Sequence, residues 1–194
     1  MGIVKLMGRD SGFIAATASL ANSVVDFCLI PETPFQTDGP KGICTAIWHR
    51  LQQNNHAVIV VAEGAGQDLF KNGENRIDAS GNILKDDVGE LLRGEIAAYF
   101  KKNNAPISIK YLDPSYHIRS VSANAADAVF CYLLAEYAVH AGMSGKTNLV
   151  IGYWNNFFTH VPIYLATKER RMVDLDSALW RGVVSATQQD KTFG

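Results

Sequence analysis

The sequence is poor in most of the features that announce a specialised class. Its 194 residues carry a formal net charge of only −1. A chain without a basic surplus has no electrostatic footprint for nucleic acid or an anionic membrane, so any anion site must be local. The three cysteines, Cys28, Cys44 and Cys131, include no C-x-x-C pair. An odd number without a framework argues against a disulfide-stapled fold and for reduced thiols in a cytoplasmic compartment. All three read as buried small hydrophobes. No apolar run reaches the roughly 18 residues of a membrane span, and no secretory leader is laid out. His49, His56, His117, His140 and His160 show no metal-ligand spacing.

Two glycine motifs are missing as well, although their letters are partly there. Residues 140–148, "HAGMSGKTN", end like a phosphate-binding loop, but His140 stands where the first glycine of G-x-x-x-x-G-K-[ST] belongs. Such a loop follows a strand and opens a helix. Here the apolar, helix-like "AADAVFCYLLAEYAVHAG" comes first and the strand-like "NLVIGYW" second. The stretch therefore reads as a helix end, with Gly142 or Gly145 as a C-cap residue that tolerates positive φ. The "GAG" at residues 64–66 fails the dinucleotide pattern G-x-G-x-x-G, because Leu69 stands where the third glycine is needed. This disfavours a nucleotide-binding dehydrogenase domain.

What is present is a legible order of elements. Hydrophobic residues make up 47% of the chain, enough for a core in one domain or two small ones. "GIVKLM", "VDFCLI", "AVIVVAEG" and "ISIKYLD" read as strands. "SGFIAATASLAN", "GICTAIWHRLQQN" and "VGELLRGEIAAYFKK" read as helices between them, with Ser11 capping the first and Asp86 or Asp87 the third. Strands alternating with helices of this length imply βαβ units around a largely parallel sheet. The polar segment between the third strand and third helix reads as a long loop with a small hairpin around Ile77 to Ile83. A long helix near residues 122–142 follows, then two strands joined by an Asn-rich turn. The last helix, "DLDSALWRGVVSAT", has Asp174 or Asp176 near its start.

In an open α/β sheet, ligands bind beyond the carboxyl ends of the strands. After the first strand comes "MGRDSGF", where Gly8 allows close backbone approach and Arg9 offers a fork of donors. Arg9 either meets an oxygen-rich ligand or pairs with Asp10 or another nearby acid. After the third strand comes Glu63, a carboxylate able to accept from sugar hydroxyls or simply to stay solvated. After the fourth comes "PSYHIRS", in which Tyr116 and Arg119 share a face if the segment turns helically. They suit a sugar hydroxyl and a phosphate, or form an ordinary surface pair. Lys110, inside an otherwise apolar strand, either snorkels to an edge or reaches a partner or ligand. Three cations, one carboxylate and one phenol favour a phosphorylated sugar. No convincing general base and no Asp pair for Mg²⁺ accompany them.

These segments resemble the second half of a 6-phosphofructokinase, of the long-chain branch found in plants, trypanosomatids and many bacteria. "KLMGRDSGFIA" is similar to the family's Met-Gly-Arg segment, "VIVVAEGAGQ" to its sugar-contacting glutamate segment, and "KYLDPSYHIR" to its Tyr-x-x-Arg form. The resemblance implies one half of a two-domain fold, a Rossmann-like three-layer α/β sandwich. It implies that Met7, Gly8 and Arg9 contact fructose 6-phosphate and that Glu63 binds its hydroxyls. By the same resemblance Tyr116 and Arg119 bind a hydroxyl and the 6-phosphate, and Lys110 stands where a cation reaches the sugar phosphate. Residues 1–120 would be the substrate-binding domain, 121–165 a segment packing on an N-terminal domain, and 166–194 a C-terminal helix and tail.

The family's Gly-Gly-Asp-Gly-Thr segment, which binds donor and Mg²⁺, has no counterpart here. Neither has its Pro-Lys-Thr-Ile-Asp-Asn-Asp segment, which carries the catalytic base. The expectation is a fructose 6-phosphate-binding portion of a cytoplasmic, oligomeric and allosteric glycolytic enzyme, inactive without the missing N-terminal domain. The donor implied is ATP with Mg²⁺. The alternatives are a pyrophosphate-dependent enzyme and a non-catalytic sugar-phosphate-binding regulatory module. No nucleic acid or membrane partner is expected.

Overall fold

A computed structural model describes residues 1–70, 77, 81 and 84–194. Four strands, β1 (Gly2–Leu6), β2 (Phe27–Leu29), β3 (Val58–Ala62) and β4 (Lys110–Leu112), form one sheet in the order β2-β3-β1-β4. Every pairing in it is parallel. The helices α1 (Phe13–Leu20), α2 (Ile43–Asn54) and α3 (Val88–Lys102) connect the strands. The expected α/β, Rossmann-like layering is what forms. Most of the expected hairpin around Ile77 to Ile83 lies outside the described residues.

Alternation along the strands sorts side chains to two faces. Ile3, Phe27, Leu29, Ile59 and Val61 pack with Ile43 and Ile47 of α2 and Leu92, Ile96 and Phe100 of α3. On the other face Leu6, Cys28, Ile30, Val60 and Ala62 pack with Ala15 and Ala16 of α1 and with Trp180 and Val183 of α7 (Ala178–Thr187). Both faces are covered, which is why the strands read as continuous apolar runs. The chain's return also closes a sheet edge. The Gln189 side-chain amide accepts from Cys28 N at 2.6 Å and donates to Cys28 O at 3.2 Å, occupying the position of a fifth strand. Arg50 adds a clasp, reaching Asp26 at 2.7 Å and Thr187 O at 2.9 Å.

One cap differs from the sequence expectation. The cap of α1 is Gly12 rather than Ser11, and the Gly12 N–H is taken by Glu32, at 3.0 Å to Oε1. The same Oε1 accepts from Val173 N at 2.7 Å, so a distant carboxylate replaces a local hydroxyl. The cap of α7 is Ser177, and Asp174 and Asp176 stand near that start as expected, Asp174 accepting from Asp176 N at 2.9 Å. On α3 the cap is Asp87, which accepts from Gly89 N and Glu90 N.

The chain divides into two compact units. The first is residues 1–118 with 172–194; the second is residues 119–171. The second unit contains α5 (Ala125–Met143), the antiparallel pair β5 (Leu149–Trp154) and β6 (Phe157–Pro162), and α6 (Ile163–Ala166). Asn155 and Asn156 turn the hairpin at φ 47° and 66°, the left-handed pair that a two-residue turn demands. Phe158 stacks on Tyr137 with ring centroids 4.7 Å apart and meets Phe130 at 5.8 Å, holding hairpin to helix. Cys131, on α5, is exposed, because that helix buries only Ala141. No helix among the described residues is long and apolar enough to cross a membrane.

Candidate functional site

The sheet order decides which loops meet. β3 and β4 flank β1, so the segments leaving these three parallel strands emerge side by side at one edge. Leu6 is level with Ala62. Met7 and Glu63 therefore leave neighbouring strands together, and Glu63 N donates to Leu6 O at 2.9 Å. One residue on, Gly64 N donates to Gly8 O at 3.0 Å. A Cβ on Gly64 would lie 1.9 Å from Arg9 O, so only glycine permits this approach of the two loops. Gly8 N donates to Glu63 Oε1 over a long 3.4 Å. Among the described residues this one weak bond leaves most of the carboxylate's acceptor capacity for hydroxyl donors. Asp10 has Lys85 at 3.9 Å.

β4 ends at Leu112, and α4 (Ser115–Ser120) begins three residues later. Asp113 starts it by accepting from Ser115 N at 3.1 Å and from the Ser115 hydroxyl. Tyr116 lies on its first turn and is 82% exposed. Arg119 is three residues along the same helix and opens the second unit. Met7, Gly8, Arg9, Glu63 and Tyr116 thus lie on the segments that follow three adjacent strands. Lys110 is not brought there. It pairs with Gly2 at the amino end of the sheet, about 13 Å of strand away from the level of Leu6.

Two residues that hold this edge escape a sequence reading. Glu32 fastens the start of α1 just behind the Met-Gly-Arg loop. Lys5 is only 14% exposed and lies within 3.1 Å of Asp87 and 3.0 Å of Asp113. The signal for Lys5 was the one that singled out Lys110, a lysine in an apolar strand. Burial opposes its charge, but hydrogen bonds to Tyr111, Asp113 and Asp87 outweigh it and raise its pKa above the ordinary lysine value. Burial likewise opposes ionisation of Asp87 and Asp113. Bonds from Tyr111 and Lys5 to Asp87, and from Ser115 and Lys5 to Asp113, hold both carboxyls below the usual range. Burial and the Asp87 bond push Tyr111 up to about 12.

The glycine-bearing stretch at residues 140–148 is a helix end. Gly145 has φ 75°, Gly145 N donates to Gly142 O at 2.9 Å, and Lys146 N to Ala141 O at 3.0 Å. This is the paired closure of a Schellman cap. Its backbone N–H groups are turned onto the helix's own carbonyls, and Lys146 donates to His160 Nδ1 at 3.1 Å.

Comparison with known proteins places this geometry in context. A family model described as phosphofructokinase matches residues 1–142. The chain is 45% identical to an ATP-dependent 6-phosphofructokinase of Borreliella burgdorferi, over 97% of this chain and 44% of that protein. It is 47% identical to one from Amycolatopsis methanolica, over 100% of this chain and 44% of the relative. A Trypanosoma cruzi protein of the same name is 43% identical over 96% of the chain and 38% of its own length. The chain thus spans less than half the length of these relatives. In three dimensions it superposes on a pyrophosphate-dependent phosphofructokinase of Marinobacter aquaeolei with a TM-score of 0.68 at 17% identity, covering 99% of this chain and 48% of that one. That likeness is one of fold.

Proposed function

This chain belongs to the phosphofructokinase family, and we propose that it forms the fructose 6-phosphate side of a 6-phosphofructokinase. The reaction is phosphoryl transfer to the sugar's 1-hydroxyl, giving fructose 1,6-bisphosphate. The observation that carries this reading is the interlock of the loops after β1 and β3, with α4 following the neighbouring β4. Met7 and Gly8 present backbone to the sugar, and Glu63 accepts from its hydroxyls. Arg9 contacts the sugar phosphate through its guanidinium, while on α4 Tyr116 bonds a hydroxyl and Arg119 binds the 6-phosphate as a forked donor. Their task is positioning and charge compensation, which dominate catalysis of phosphoryl transfer. Lys110, at the other end of the sheet, reaches a sugar phosphate only from a second copy, which fits an oligomeric enzyme.

The donor is ATP, as the names of the relatives at 43–47% identity support. Mg²⁺ would bridge and neutralise the transferred phosphoryl group. The residues here do not fit that pair: no glycine-rich cradle occurs, and among the described residues no three His, Cys, Asp or Glu side chains gather to hold a metal. We assign the donor, the metal and the base to the other domain of the family's fold, with which the second unit would pack. We place the enzyme in the cytoplasm, where buried thiols such as Cys28 and Cys44 stay reduced; burial pushes them up to about 11 and about 12.

Calorimetric titration of the purified chain tests this. Fructose 6-phosphate should bind saturably, fructose at least tenfold more weakly, and Arg119→Ala should lower sugar-phosphate affinity at least tenfold. No fructose 1,6-bisphosphate should form from ATP with this chain alone. Absence of saturable binding sinks the proposal.

A further inference from the structure

Lys5 is the penultimate residue of β1, two positions before the Met-Gly-Arg loop. Its ammonium group joins two helix starts. Asp87, at 3.1 Å, caps α3 and accepts the Tyr111 hydroxyl at 2.8 Å. Asp113, at 3.0 Å, caps the first turn of α4 through Ser115. The two helices differ in what they bury. α3 is a fifteen-residue helix with Val88, Leu92, Ile96 and Phe100 in the core. α4 has six residues and buries none of them. A helix that short is marginal by itself and takes its direction from its anchors. The Asp113 carboxylate is such an anchor: one oxygen holds the Ser115 amide and hydroxyl, and the other is held by Lys5.

We propose that Lys5 is a positioning residue of the sugar-phosphate site, which by fixing Asp113 sets the first turn of α4 and so the placement of Tyr116. The proposal rests on the reading of Tyr116 as a ligand of fructose 6-phosphate. The network stays charged across neutral pH, since the lysine is raised and both carboxyls are lowered. A single strand thereby carries two duties. Its end delivers the Met-Gly-Arg backbone, and its side chain aligns the segment that faces the same ligand from the neighbouring strand.

The experiment compares wild type with Lys5→Met, Lys5→Arg, Asp113→Asn and Asp87→Asn by fructose 6-phosphate titration and by amide exchange of the ligand-free chain. Lys5→Met should weaken binding at least tenfold, and Lys5→Arg should restore it to within threefold. Asp113→Asn keeps an oxygen for the Ser115 amide but loses the ion pair, and should match Lys5→Met. The double variant should be no worse than either single one, as for residues acting in one chain of contacts. Asp87→Asn, which leaves α4 untouched, should change affinity less than threefold. In the ligand-free chain, the Ser115 and Ile118 amides should exchange at least tenfold faster in Lys5→Met while Val4 and Val60 keep their protection. Equal loss of protection in the sheet would make Lys5 a general stabiliser and overturn the proposal, as would unchanged affinity and unchanged exchange. If wild type binds no fructose 6-phosphate, the site reading falls, and the exchange data alone decide whether Lys5 sets α4. If Lys5→Met does not fold, Asp113→Asn answers in its place.

Discussion

α3 and α5 are both long helices, yet they meet opposite fates. α3 spans fifteen residues and buries Val88, Gly89, Leu92, Ile96 and Phe100. α5 spans nineteen, is the more apolar, and buries only Ala141. The contrast extends to the units that hold them. The first unit encloses two apolar layers, one on each face of its sheet. The second turns outward Val129, Tyr132, Val139 and Met143 of α5, together with Trp154 at 71% and Phe157 at 74% exposure. Apolar composition thus does not by itself make a core. A sheet with helices on both faces can cover its own side chains, whereas one long helix, a four-residue helix and a hairpin have too few layers to do so. Exposed apolar side chains grouped on one unit have the composition of an interaction face.

The largest expected consequence is in solution behaviour. At micromolar concentration the chain should self-associate and bind a hydrophobic dye, and a Trp154→Ser, Phe157→Ser variant should do both several-fold less. A monodisperse 21.2 kDa species that binds no dye would contradict the contrast between the units. Core substitutions should sharpen it next. Ile96→Ala should lower stability in urea unfolding by about 2–5 kcal/mol, while Val139→Ser should stay within about 0.5 kcal/mol. If the two cost the same, the second unit has a core of its own.

A smaller effect lies inside the first unit. Gly64→Ala forces a methyl onto the Arg9 carbonyl and should destabilise by about 1–3 kcal/mol, with a loss of fructose 6-phosphate affinity exceeding that of Gly94→Ala, where nothing lies within 4 Å of a new Cβ. Equal effects would mean that the two loops can part freely. The smallest is a pH effect. Asp87 and Asp113 have lowered folded pKa values, so their contribution is complete above the unfolded value near 4 and is lost as pH falls through the lower folded values. Lys5 is raised, so its share is complete below the unfolded lysine value near 10.4 and is lost only as pH rises through the raised one. Urea midpoints should therefore drop below about pH 4, less steeply in Asp113→Asn, whereas second-unit variants should leave that slope alone.

Much of the architecture was legible because it depends on local chemistry. Apolar runs of strand length, a carboxylate at the head of α3, and paired asparagines between β5 and β6 each act within a few residues. The positions bearing Met7, Gly8, Arg9, Glu63, Tyr116 and Arg119 were legible for a related reason, since they follow strands in order. The misread cap of α1 has a different cause. Ser11 gave way to Gly12, whose amide is held by Glu32 twenty residues further on, and the edge of β2 is completed by Gln189, 161 residues from Cys28. Cys131 looked like a core residue because its neighbours are apolar, but the hairpin that meets Phe130 and Tyr137 of α5 leaves it exposed.

By itself, the sequence determined the alternation of strands and helices, the turns, and which residue types leave each strand, because these follow from the preferences of short segments. The tertiary structure decided the rest. The order β2-β3-β1-β4 brings three loops to one edge while leaving Lys110 level with Gly2 at the other. It also put Lys5 rather than Lys110 among carboxylates. A largely enclosed charge needs partners, and those of Lys5 come from distant segments that only the packed chain brings together.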